Sequence, residues 1–83
     1  MKIPLGLKKA VLAVLQETGH RALSPEALAI YANGRVDAPV TAEQVRAALA
    51  ELEQLGMVQR RASVLDPTAL MWRATEAGMM EQV

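Results

Sequence analysis

The tetrapeptide Thr41-Ala42-Glu43-Gln44 marks a helix start through two reciprocal hydrogen bonds. A threonine hydroxyl at the N-cap accepts the N–H of the residue three positions on. The amide of Gln44 reaches back to the N–H of Thr41, so two otherwise orphaned donors are satisfied at once. Beyond this box Val45, Ala48, Leu49 and Leu52 recur at i, i+3, i+4 and i+7, one stripe of a 3.6-residue helix, with Leu55 as a candidate extension. Gly56 then offers the left-handed backbone that ends a helix. A helix with a single apolar stripe must find a core to face, and the rest of the chain has to build it.

Upstream, Leu7, Val11, Val14 and Leu15 form a second stripe, with Pro4 at or before the start and Thr18-Gly19 at the end. Residues 19–23 read as a turn. Ser24-Pro25-Glu26 is a compact start signal, combining an N-cap hydroxyl, a proline suited to the first helical position and an acid complementing the helix dipole. That helix runs to about Ala32 with Leu28, Tyr31 and Ala32 inward. Asn33-Gly34 closes it because both residues tolerate positive φ. The loop from Arg35 to Val40 is expected to anchor through Val36 and Val40. After Gly56, Met57 to Arg61 and Ala69 to Ala74 read as two antiparallel strands, the second alternating Leu70, Trp72 and Ala74 against Met71, Arg73 and Thr75. Asp66-Pro67-Thr68 supplies the turn chemistry between them, and Thr75-Glu76 caps a terminal helical turn.

An 83-residue chain with 52% hydrophobic content suits one domain over residues 1–83. With no Phe, and only Tyr31 and Trp72 as rings, its core is aliphatic. So small a domain has a modest stability margin that self-association could supplement. Nine basic and nine acidic residues cancel, so attraction to a polyanion must come from a local patch. The absence of cysteine excludes disulfides and thiolate zinc sites, and a single His20 excludes a multi-histidine metal site within one chain. The most apolar run, Ala10 to Leu15, is too short to span a bilayer. Met1-Lys2 faintly resembles a leader, but Lys8-Lys9 interrupts the apolar region and no cleavage site follows, so a cytoplasmic location is expected.

The run Val45-Arg46-Ala47-Ala48-Leu49-Ala50-Glu51-Leu52-Glu53-Gln54-Leu55-Gly56-Met57-Val58, followed by Trp72-Arg73-Ala74-Thr75-Glu76-Ala77-Gly78, resembles winged helix-turn-helix domains of bacterial and phage regulators. In that family the third helix ends in a leucine-rich turn before Gly and two apolar residues. The hairpin closes with an aromatic, an apolar residue, Thr and Gly. The resemblance covers residues 5–80 and implies an α+β fold: a three-helix core, a two-stranded antiparallel β-hairpin wing and a short C-terminal helical turn. It also implies double-stranded DNA as partner, with the third helix in the major groove and the hairpin on a neighbouring groove or the backbone. The outward face of the third helix carries Thr41, Glu43, Gln44, Arg46, Ala47 and Ala50. Of these, Gln44 and Arg46 can contact adenine and guanine edges bidentately. Arg60, Arg61 and Arg73 on the strands are candidates for phosphate. Lys8, Lys9 and Arg35 read as solvated charges.

Two features oppose that role. Glu43, Glu51 and Glu53 against Arg46 alone leave residues 41–56 at a net charge of minus two. The loop before the third helix also exceeds the tight turn of a minimal helix-turn-helix. They motivate a second reading, a protein-interaction or assembly module using the apolar wing tip, Val64 and Leu65, together with Met79 and Met80, for a homodimer or another protein. An enzyme is not expected. His20 and Glu17 have no nucleophile or second ligand, Ser24 and Ser63 lack a histidine–acid pair, and the glycines stand at segment boundaries without forming a phosphate-cradling loop. No cofactor, metal or small-molecule substrate is inferred, and Trp72 reads as a cover for the core.

Overall fold

The computed structural model describes residues 6–19, 21–36, 39–62, 65 and 70–82. His20, Ser63, Val64, the turn Asp66-Pro67-Thr68 and the first five residues, Pro4 included, lie outside them. The first helix, α1 (Leu7–Thr18), follows Gly6 at φ 82° and ends on Gly19 at φ 64°. Its buried face adds Ala10 and Leu12 to the four positions read from periodicity. In the second helix, α2 (Pro25–Ala32), the Ser24 hydroxyl accepts the N–H of Ala27 at 3.2 Å and Pro25 takes the first position.

Tyr31 does not face inward. Pro25, Leu28, Ala29 and Ala32 form the buried stripe of α2: Leu28 and Ala32 are inward as expected, but Ala29 takes the place expected of Tyr31, which stands at the rim, 55% exposed. In the third helix, α3 (Ala42–Gln54), both bonds of the capping box are present: Gln44 N–H donates to Thr41 Oγ1 at 3.2 Å, and Thr41 N–H donates to Gln44 Oε1 at 3.1 Å. The stripe Val45, Ala48, Leu49 and Leu52 is buried. It stops there, because Leu55 is the C-cap residue and stands 62% exposed before Gly56 at φ 77°.

The strands β1 (Val58–Ala62) and β2 (Leu70–Ala74) pair antiparallel with Val58 opposite Ala74 and Ala62 opposite Leu70. Val58, Trp72 and Ala74 are buried on the face toward the helices. The segment expected only to turn after α1 does more: Leu23 and Trp72 exchange both backbone bonds at 2.8 Å, an antiparallel bridge on the free side of β2. One such residue is too short a pattern to show period-two alternation, but it ties the start of α2 to the hairpin. The last helix, α4 (Glu76–Met80), is capped by the Thr75 hydroxyl, which accepts the N–H of Gly78 at 3.1 Å. It is held to α1 by Gln16, whose Nε2 donates to the carbonyls of Gly78 and Glu81, each at 2.7 Å.

Asn33-Gly34 ends α2 by a different device from the one expected. Asn33 has φ −58°, and Gly34 is not among the glycines at positive φ. The Asn33 side chain acts instead. Its Oδ1 accepts the N–H of Val40 at 2.9 Å, and its Nδ2 donates to the carbonyls of Val40 at 3.1 Å and Ala29 at 2.9 Å. The amide thereby pairs with Val40 as a neighbouring strand would. Val40 is buried one residue before the N-cap of α3, and Val36 packs on the core from the other end of the loop. A connection longer than a tight turn therefore still sets where α3 begins.

Candidate nucleic-acid interface

Because Val45, Ala48, Leu49 and Leu52 turn inward, the opposite face of α3 is committed to solvent. Thr41, Glu43, Arg46 and Ala50 are exposed there, and Gln44 and Ala47 are half-buried. The start of α2, Arg46 of α3 and residues Leu70 to Trp72 of β2 enclose an open groove of about 450 Å³. The candidate recognition helix and the outer half of β2, toward the wing tip, thus share one concave surface. Small side chains, Ala47 and Ala50, leave Arg46 as the long cationic group of the exposed α3 face.

Arg46 is partnered. Its Nη2 donates to Glu26 Oε1 at 2.6 Å, across from α3 to the first turn of α2, with both side chains more than half exposed. Gln44 is also engaged, since its Oε1 closes the capping box. A bidentate contact to adenine needs both the amide oxygen and the nitrogen, so that contact would require Gln44 to leave the cap.

The register divides the three hairpin arginines between two faces. Successive strand residues alternate. Arg60 therefore lies on the side of Val58 and its partner Trp72, whereas Arg61 and Arg73 share the outer side with Gln59 and Met71. From the inner side Arg60 stacks its guanidinium 5.8 Å from the Trp72 ring centre and donates from Nε to Glu53 Oε2 at 2.9 Å. Arg73 donates from Nε and Nη2 to the Gln59 amide oxygen at 2.6 and 2.8 Å when that amide is turned to accept. Arg61 has no ion-pair partner among the described residues.

Pairing also alters the charge argument against α3. Glu51 meets Lys8 at 3.5 Å and Glu53 meets Arg60, so two of its three carboxylates are matched by cations. Arg35, on the loop, pairs with Glu17. Among the described residues Glu43 is the acid of α3 without a cation, and it sits in the first turn, where the dipole favours it.

The apolar candidates do not form one patch. Leu65, 97% exposed, lies beyond the Ala62–Leu70 end of the hairpin, whereas Met79 and Met80 follow its Val58–Ala74 end. Those ends are separated by about 14 Å of strand. Val64 lies outside the described residues.

Sequence reading missed Glu26 as a partner of Arg46 and Asn33 as a clamp. Twenty positions separate Glu26 from Arg46, and no local pattern links residues on different helices. Glu53 and Arg60 stand seven apart across Gly56, a spacing that becomes contact only once the chain reverses there.

Three helices, an antiparallel hairpin, a bridge on its free edge and a short last helix make this a winged-helix fold. Solved structures share it. A MepR variant from a multidrug-resistant S. aureus clinical isolate aligns over 92% of this chain and 51% of its own, with a TM-score of 0.73 and 17% identity. A variant of Lactococcus lactis ZitR aligns over 95% of this chain and 47% of its own, at 0.69 and 15%. The chain spans about half the length of each, and at such identities the likeness is one of fold. No protein-family model and no curated protein sequence matches the chain. Among the described residues no helix is long and apolar enough to cross a membrane, and no group of three or more His, Cys, Asp or Glu could hold a metal ion.

Proposed function

We propose that residues 1–83 form a single winged-helix domain that binds double-stranded DNA as a bacterial or phage transcriptional regulator, or as an accessory DNA-binding module, in the cytoplasm. The observation that carries this reading is the capped first half of α3, which presents Arg46 beside small neighbours at the mouth of a groove shared with the wing. Arg46 reads a guanine edge, where a good bidentate contact discriminates by about 1–3 kcal/mol. Arg60, Arg61 and Arg73 meet phosphates. Thr41, Glu43, Gln44 and Ala47 line the approach, and Gln44 acts mainly by holding the start of the helix.

Selection from random duplexes tests the proposal. An enriched motif is expected; Arg46→Ala relaxes preference at one position, whereas Arg61→Ala weakens binding to all sequences and lowers the salt slope by about one. Selection that enriches nothing overturns sequence-specific binding.

A second reading, association through Leu65 with Val64 or through Met79 and Met80, is favoured by the exposure of Leu65 and of Met80, 97% and 78%. Light scattering on Leu65→Glu and Met79→Glu tests it. Loss of an oligomer without loss of fold supports it, and an unchanged mass sinks it.

A further inference from the structure

We propose that Glu26 is a built-in competitor of DNA phosphate for Arg46, weakening indiscriminate attachment of the domain to nucleic acid. The inference rests on the DNA-binding reading above and adds to it a residue that sets the affinity. The two side chains come from different helices, each anchored by its own buried stripe: Leu28, Ala29 and Ala32 in α2, and Val45, Ala48, Leu49 and Leu52 in α3. The carboxylate is therefore delivered to the guanidinium by the packing of the scaffold. At 2.6 Å it occupies an Nη2 proton and neutralises the charge that would draw a phosphate to this face.

The pair can also be opened. Its side chains are 54% and 63% exposed, so both groups remain hydrated and their attraction is that of a surface pair. A phosphate that takes Arg46 must displace the carboxylate or bind with it nearby, and like charges then oppose each other. A guanine edge brings neutral acceptors and suffers less from the same carboxylate. The consequence is discrimination: Glu26 penalises phosphate attachment more than base contact. Arg60 repeats the arrangement with Glu53 at 2.9 Å. Glu43, without a cation among the described residues, provides an internal comparison on the same surface.

The test is a double-mutant cycle read by fluorescence anisotropy with a short labelled duplex of mixed sequence at low salt, using folded variants verified by thermal melting. Glu26→Gln is expected to tighten binding about two- to fivefold, the range that a surface ion pair spans. It should also steepen the salt dependence by about one counterion. Glu43→Gln should give a smaller gain. In an Arg46→Ala background Glu26→Gln should give no more than Glu43→Gln does, because the competed group is gone. If the glutamine variant folds poorly, Glu26→Asp, which withdraws the carboxylate by one methylene, should give an intermediate gain.

Equal or weaker binding by Glu26→Gln overturns the competition, as does a gain that persists in full without Arg46. If the wild-type chain and all variants fail to bind duplex even at low salt, the DNA-binding reading falls with it; the competition alone fails if they bind and the cycle closes to zero.

Discussion

Replacing Asn33 with alanine is expected to destabilise the domain although it improves local helix propensity. Asn33 is the C-cap residue of α2, one position past its last helical residue, so alanine gains there at most the roughly 0.6 kcal/mol of interior propensity scales. The structure sets three side-chain hydrogen bonds against that gain: Oδ1 from the Val40 N–H at 2.9 Å, and Nδ2 to the carbonyls of Val40 at 3.1 Å and Ala29 at 2.9 Å. The Ala29 carbonyl keeps the Asn33 backbone N–H at 3.0 Å, so its loss is partial. Val40 is buried, 7% exposed, and its N–H loses a partner held in a part-buried bond at the edge of the core. An unsatisfied buried donor costs about 1–3 kcal/mol, and the lost carbonyl contacts add about 0.5–1 kcal/mol. The net loss is about 2 kcal/mol, or a fall in Tm of roughly 10 °C for a domain of this size.

Asn33→Asp sharpens the test. The carboxylate can still accept from Val40 N–H, but it faces two carbonyl oxygens where the amide nitrogen donated, so it should be at least as destabilising as alanine. Circular dichroism melts and urea titrations with unchanged slope would measure both. Amide exchange at Val40 should accelerate more in Asn33→Ala than at α1 positions, since the start of α3 loses its tether. A Tm within about 2 °C of wild type, or above it, would refute the clamp.

Gly78→Ala should destabilise by about 2 kcal/mol, since an added Cβ would lie 2.0 Å from the Met57 carbonyl oxygen and backbone cannot yield as a side chain can; an unchanged or raised Tm would count against this close approach. Leu49→Ala, at a fully buried position of α3, should cost about 2–5 kcal/mol in chemical denaturation. Gln44→Ala breaks half of the capping box and should lower stability by about 0.5–1 kcal/mol. In a duplex selection it should leave the preferred motif intact, whereas loss of a specific adenine position would show that Gln44 leaves its cap to read a base.

Much of the fold was legible because its signals are local. The Thr41–Gln44 box, the Ser24-Pro25 start, the stripe from Val45 to Leu52 and the Thr75 cap each depend on residues within one or two turns, and all are present. The hairpin was legible through Trp72 and Ala74, whose burial follows the alternation of β2. Errors arose where one residue stood for several geometries. Asn33 was consistent with a left-handed stop and with a side-chain clamp, and only the position of Val40 distinguishes them. Tyr31 fitted an apolar stripe with Leu28 and Ala32, yet α2 buries Ala29 beside them instead.

The candidate site was less legible, for a related reason. Sequence identified the residue types: Arg46 on the solvent face of α3, arginines on the strands, and an acidic excess along the third helix. The assignment of partners belonged to the tertiary structure, which brought Glu26 across to Arg46, Glu53 to Arg60 and Lys8 to Glu51. Secondary structure follows from periodicity and caps that the chain carries within a few residues. Electrostatic pairing follows from distances of a few ångströms between elements far apart in sequence. By itself the sequence determined where the helices and the hairpin form and the stripes that α1 and α3 bury; tertiary packing decided which face α2 buries and that Arg46 is held by a carboxylate.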